Sequence, residues 1–307
     1  MNKFKYSPLL LAFALILIST LFSGCTNTDK GTTSGQDIVI TDDIGHNTTI
    51  SSDIHRVVSL SPSETEIFYT LSPQDKGISL VGRTDYDTYP PEVMNVTSVG
   101  GPQTLSVEAI AGLDPDLILT TTVADKTVID QLRDLEYPVL IFNPESFDGI
   151  YHNIYEIGKA LGQDQQAATL INSLQAGVDE VINSKPAEPP KKVMFVVTVQ
   201  PFYVAGNNTF PNEFITTSGG VNIFGDQSGY FVASDEQIVN RSPDVIIVPS
   251  TVTDKGFFKD QLLQMKELKS VPAIANERIC IIDEDIISRP GPRFVEGLKE
   301  VDTCING

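Results

Sequence analysis

Two glutamates carry the clearest chemical pattern in the chain. Ser106-Val-Glu108-Ala-Ile110 leads on to Pro115-Asp116-Leu-Ile118, and Ser234-Asp-Glu236-Gln-Ile238 leads on at the same spacing to Pro243-Asp244-Val-Ile246. In each copy the Glu falls in the first turn of a helix that a Ser can cap. A carboxylate there is stabilised by the helix dipole. Its recurrence at two matched places also suits docking, because one carboxylate per copy would complement a dimeric partner with one basic pocket per subunit. A weaker echo, Pro62-Ser-Glu64-Thr-Glu-Ile67 against Pro211-Asn-Glu213-Phe-Ile215, occurs in the same order. The repeats imply two similar α/β lobes, and a cleft between lobes is where small ligands bind.

Residues that could do covalent or metal chemistry are sparse. The sequence lacks G-x-G-x-x-G, a phosphate loop, G-x-S-x-G and H-E-x-x-H. Its three histidines, His46, His55 and His152, fall on a hairpin, a strand start and a helix, too few and too scattered for a metal site. Neither an enzyme nor a resident cofactor is expected. A formal net charge of −19 argues against nucleic acid, which needs clustered Lys and Arg. An array that would build an adhesive face is also missing. A monomer that binds a small molecule is the expectation.

The first residues read as an address. Lys3 and Lys5 precede the apolar run Leu9–Phe22, and Leu21-Phe22-Ser23-Gly24-Cys25 closes it. A basic start, a short apolar core and small residues before a cut site describe an export signal. The Gly24-Cys25 ending resembles a lipoprotein signal, in which Cys25 would be lipidated and become the mature N-terminus. Phe22 departs mildly from the Leu usual there. Residues 1–25 are thus expected to be the signal and 26–37 a flexible spacer, tethering the rest outside the cell at the membrane face. Cys280 and Cys304 are then the remaining thiols, and in an oxidising compartment they could pair.

The elements that position the glutamates follow from periodicity. Ile38–Ile40 and Thr48–Ile50 flank a turn and predict a hairpin, and Arg56–Leu60 predicts a buried strand. Ser63-Glu64-Thr65-Glu66 has the form of a capping box and predicts a helix start. Helices and strands alternate up to Val139–Phe142. From Phe147 to Asn183, apolar residues recur at spacings of three and four, predicting one long amphipathic helix or two in tandem. Unbroken, it would run roughly 50 Å. Strands restart at Val193–Val199 and recur at Val245–Val248 and Ile279–Ile282 before a closing helix, Phe294–Ile305. We therefore expect an α/β chain with an N-terminal lobe at 38–147, a linking helix at 148–184 and a C-terminal lobe at 185–307.

The stretches RVVSLSPSETEIFYTL and GRTDYDTYPPEV, with the two S-x-E-x-I…PD repeats, resemble the helical-backbone class of ABC-importer binding proteins, which serves cobalamin, haem and ferric siderophores. TDYDTYPPE looks most like the cobalamin branch. The resemblance implies two Rossmann-like lobes bridged by a single long rigid helix, and a permease dimer as partner. Glu108 and Glu236 fall on the positions that dock into permease arginines. Tyr86, Phe202 and Tyr230 fall on aromatic wall positions, Arg289 falls on a pocket arginine, and Ser63 lies at the cleft edge. Where the cobalamin branch can present a Trp, this chain has Pro102, and it has no Trp anywhere. The walls of a corrinoid site must then be Tyr and Phe, with Arg289 and backbone groups meeting the ligand's amides. Arg289 and Arg293 could instead pair with carboxylates of a ferric siderophore, which with haem is the alternative ligand.

Overall fold

The structure is a computed structural model that describes residues 36–185, 189–250 and 256–307. Cys25, the signal and nearly all of the spacer lie outside the described residues. Ile38–Thr41 (β1) and Asn47–Ile50 (β2) form the expected antiparallel hairpin, turned at Gly45 with φ +81°. Arg56–Ser59 (β3), Ser79–Arg83 (β4), Thr97–Ser98 (β5), Leu117–Thr121 (β6) and Val139–Phe142 (β7) make an all-parallel sheet in the order β5-β4-β3-β6-β7. The helices of this lobe are Pro62–Leu71 (α1), Val107–Ala111 (α2) and Lys126–Asp134 (α3). Leu117, Ile118 and Leu119 are fully buried, as a strand covered on both faces requires.

The helical segment assigned to 148–184 is two helices, Phe147–Ala160 (α4) and Asp164–Ser184 (α5). Its apolar periodicity continues across a tight turn that periodicity alone does not reveal. Gly162 sits at φ +62°, and the Gln163 N–H donates to the Gly158 carbonyl at 2.6 Å. Gly158 lets the two helices close together, since a Cβ there would lie 2.4 Å from that of Ala167. α5 alone is the linking helix, 21 residues or about 30 Å long.

Lys192–Val199 (β8), Phe202–Ala205 (β9), Val221–Asn222 (β10), Tyr230–Ala233 (β11), Val245–Ser250 (β12) and Ile279–Asp283 (β13) form the second sheet. β8, β12 and β13 are parallel, and β10 joins the start of β8. β9 and β11 form an antiparallel ribbon on the second half of β8, which makes this lobe a mixed sheet. Its helices are Phe210–Thr217 (α6), Asp235–Arg241 (α7), Phe257–Gln264 (α8), Pro272–Ala275 (α9), Glu284–Ile287 (α10) and Phe294–Asn306 (α11). Cys280 on β13 and Cys304 on α11 are joined by a disulfide, with Cα atoms 6.1 Å apart.

One apolar core runs through both lobes and the linker, from Phe68 and Ile154 through Leu174 to Phe214 and Phe294. Phe147 is its joint. The ring lies 4.4 Å from Phe294, 5.2 Å from Phe214 and 5.8 Å from Phe210. On the far side of α5, Gly177 gives room to Val295, and Glu180 pairs with Lys299 at 2.6 Å. Among the described residues no helix is long and apolar enough to cross a membrane.

Candidate ligand cleft

The cleft lies where the parallel strands end, as expected for open α/β sheets. The chain leaving β3 delivers Leu60 to Ser63, the chain leaving β6 delivers Thr121 to Ala124, and the chain leaving β7 delivers Asn143 and Pro144. Across from them the second lobe contributes Ser288, Arg289 and Pro290. Pro102 completes the lining of a cavity of about 210 Å³. Larger hollows lie elsewhere, of about 420 Å³ beneath Asp53 and His55, about 440 Å³ beside Lys185 and Lys191, about 420 Å³ beside the Cys280–Cys304 disulfide, and about 270 Å³ between Thr122 and Arg133. The first two sit at strand starts, the end of an α/β sheet that does not collect ligand loops, and each of the other two is lined by one lobe alone, so we take the smaller interlobe cavity as the site.

Its floor is a buried polar chain. The Ser61 and Ser63 hydroxyls lie 2.9 Å apart, and Ser63 donates to Oε2 of Glu64 at 2.8 Å. Asn153 on α4 donates to Oε1 of Glu64 at 3.4 Å. Burial pushes the Glu64 carboxyl up to about 7, against the hydrogen bonds from Ser61 and Ser63. Asp87 is also buried and pushed up to about 6, although the Thr84 backbone N–H and the Thr84 and Thr65 hydroxyls donate to it. The capping box expected at Ser63 does not form. Ser61 occupies the N-cap, Pro62 and Ser63 already lie inside the helix, and Glu66 is committed elsewhere. Arg293 of the second lobe grips Glu66 through Nε at 3.0 Å and Nη2 at 2.6 Å.

The expected wall residues divide. Ser63 and Arg289 line the cavity, but Ser63 faces its own lobe's hydroxyl chain, and Arg289 is paired with Asp285 at 2.7 Å. Tyr86 is 56% exposed beside Gly101, whose Cβ would touch its ring at 3.0 Å. That sets Tyr86 next to Pro102 at the cavity edge rather than inside it. Tyr230 is 43% exposed on the β9–β11 ribbon. Phe202 is not a wall residue. It is 3% exposed and packs in the apolar core of the second lobe with Val204 and Phe224. Alternation along β9 turns its neighbour Tyr203 outward instead, stacked on Tyr230 with ring centroids 5.9 Å apart. Only the direction in which β9 faces its core decides between Phe202 and Tyr203, and sequence does not give that.

The repeats resolve into separate tasks. Ser106 and Ser234 cap their helices, and Ile110 and Ile238 are fully buried. Asp116 accepts the backbone N–H groups of His55 and Arg56, and Asp244 accepts that of Lys192, so each Pro-Asp pins the start of a central strand. Glu108 and Glu236 remain exposed. Glu108 accepts from Ser106 at 3.2 Å, and Glu236 makes no hydrogen bond or ion pair among the described residues. The second echo holds α4, for Glu213 accepts the Phe147 N–H at 2.8 Å while Glu64 meets Asn153. His46 is exposed, His55 meets Asp53 and His152 meets Asp43, and no cluster that could hold a metal is present among the described residues.

A family model for periplasmic binding proteins matches residues 57–286. The chain belongs to the periplasmic binding protein family. It is a solute-binding protein and not an enzyme, as the missing catalytic motifs implied. The uncharacterized ABC transporter substrate-binding lipoprotein YvrC of Bacillus subtilis is 32% identical over 307 residues, covering 95% of this chain and 95% of that one. A cobalamin-binding protein of Halobacterium salinarum is 29% identical over 260 residues, covering 82% of this chain and 70% of that one. Among solved structures, a possible iron-binding periplasmic solute-binding protein from Staphylococcus epidermidis superposes with a TM-score of 0.74 at 31% identity, over 83% of this chain and 99% of that one. The two-lobed fold with its linking helix is therefore that of periplasmic binding proteins.

Proposed function

We propose that this periplasmic binding protein captures cobalamin or a related corrinoid and delivers it to the permease of an ABC importer. The observation that carries the ligand class is the charge state of the cleft. Arg289 is neutralised by Asp285 and Arg293 by Glu66, so neither arginine described at the cleft is free to meet a ligand carboxylate. What remains in the lining is neutral: the hydroxyls of Ser61, Thr121 and Thr122 and the amide of Asn143, with the exposed ring of Tyr86 at the edge, and the exposed rings of Tyr203 and Tyr230 on the β9–β11 ribbon would extend it. Such a lining suits a flat macrocycle edged with amides better than haem with its propionates or an anionic ferric siderophore. A cavity of about 210 Å³ is below the usual size of sites that enclose a ligand, so the macrocycle lies across the mouth against the tyrosines. The likeness to a cobalamin-binding protein supports the same reading.

Delivery rests on Glu108 and Glu236, the repeated residues left without an internal task, which would enter basic pockets of the two permease subunits. Tethering rests on Cys25 as a lipid anchor at the outer face of the membrane, and the likeness to a lipoprotein supports it. The protein acts as a monomer, needs no cofactor of its own, and carries the corrinoid as cargo. Calorimetric titration with cyanocobalamin, haem and a ferric hydroxamate tests the ligand. Tight binding of cyanocobalamin is expected, whereas heat from haem or the siderophore alone would overturn the assignment.

A further inference from the structure

The loop Thr84–Pro91 carries Tyr86 and is held by two different lobes. Its start is fixed inside the first lobe, where Asp87 accepts from Thr84 and Thr65, and the Tyr86 N–H donates to Thr84 Oγ1 at 3.3 Å. Arg83 ties the two ends together, donating to the Thr84 carbonyl at 2.7 Å and to the carbonyl of Val93, just past the loop, at 3.0 Å. Its middle is held from across the cleft. Thr88 lies 3.4 Å from both Asp285 and Arg289. The Arg293 guanidinium lies 4.0 Å from the centroid of the Tyr89 ring while its edge forks onto Glu66. The backbone between these arginines is close as well, for a Cβ on Gly291 would lie 3.4 Å from Glu66 Oε2 and 3.5 Å from Ser63 Cα.

We infer that Arg293 is a positioning residue for ligand capture: forked onto Glu66 and stacked on Tyr89, it fixes the loop that presents Tyr86 at the mouth of the cleft. This rests on the reading of the cleft as the ligand site. A guanidinium is needed because one planar group must serve two partners at once, a carboxylate along its edge and a ring against its face. Lysine has the charge but neither the fork nor the stacking plane. With Glu66 only 2% exposed, the pair is shielded from water and from salt, so it holds its geometry where a surface ion pair would not. Losing the stack would free the middle of the loop while leaving both of its ends anchored. Thr88 and Tyr89 would then move, and the Tyr86 ring, anchored through its own backbone but flanked by them, would be backed less firmly, so a macrocycle resting on it would leave sooner.

Hydrogen–deuterium exchange of the full chain without ligand tests the clamp. Arg293→Lys and Tyr89→Leu are expected to raise exchange of the backbone amides of Thr88 and Tyr89 about tenfold, while β3 and β6 of the same lobe keep the wild-type rate. Tyr89→Phe keeps the ring and should exchange as wild type. With cyanocobalamin as probe, Arg293→Lys should release it about tenfold faster. Unchanged exchange at Thr88 and Tyr89 for both Arg293→Lys and Tyr89→Leu would overturn the inference, as would a rise spread evenly over the lobe, which marks general destabilisation. A looser loop with an unchanged release rate would overturn the link to capture. If Arg293→Lys does not fold, Glu66→Gln carries the same comparison. If wild type fails to bind cyanocobalamin, the ligand assignment falls while exchange still decides the clamp.

Discussion

Asn153 on α4 donates its amide to Glu64 at the root of the cleft floor, 3.4 Å away, and both side chains are fully buried. A carboxyl so placed keeps its proton to about pH 7, whereas in the unfolded chain it ionises near 4.5. Between those values the folded state binds more protons than the unfolded state, so stability falls as pH rises through the window and levels off above it. Asp87, raised from 3.8 to about 6, acts in the same direction over a lower window.

Glu64→Gln should remove that slope. Gln keeps the shape and never ionises, so the variant should be more stable than wild type at pH 8, by on the order of 3 kcal/mol at most, and close to it at pH 4.5. Urea midpoints measured across pH 4.5 to 8 check this. A wild-type advantage at pH 8 would mean that Glu64 is held as a carboxylate.

The aromatic assignment makes opposite demands on two adjacent residues. Tyr203→Ala should leave the melting temperature nearly unchanged and weaken cyanocobalamin binding about tenfold. Phe202→Ala should cost roughly 3–5 kcal/mol of stability, the usual penalty for emptying a buried Phe site. Thermal melts and calorimetry on the pair separate wall from core.

Glu108→Ala combined with Glu236→Ala should leave ligand affinity and melting temperature intact and weaken capture by the permease in liposomes. Each single variant should have a smaller effect, because the second contact still tethers the complex. Lost ligand affinity in the double variant would remove both residues from the docking role.

Replacing Cys280 and Cys304 together by Ser should lower stability by about 3 kcal/mol, the loop-closure value for a sequence separation of 24 residues. Denaturation of wild type with and without reductant should reproduce the difference.

Much of this was legible in sequence because repeated constraints leave repeated residues. Strand after strand announced itself through β-branched runs, and the Ser-x-Glu-x-Ile…Pro-Asp copies gave two lobes outright. What stayed hidden depends on contacts between distant segments. The break at Gly162 is invisible to periodicity because the apolar stripe runs straight through the turn. Glu66 looked like the second half of a helix cap, and only the nearness of Arg293, 227 residues on, shows its actual partner. Phe202 and Tyr203 are both aromatic, and alternation says that one is in and one is out without saying which. Arg289 lines the cleft, but its charge is met by Asp285, four residues before it, a helical spacing present in the sequence itself.

Phe147 packs against three phenylalanines of the opposite lobe, so the apolar cluster that each lobe keeps to itself is tied to a core that both share. Heating should therefore melt the chain in one step, and a molecule gripped by either wall of the cleft would shift that step for the whole protein. A plain thermal-shift screen over macrocycles and metal chelates, with no label and no permease, would then be enough to let the protein name its own cargo.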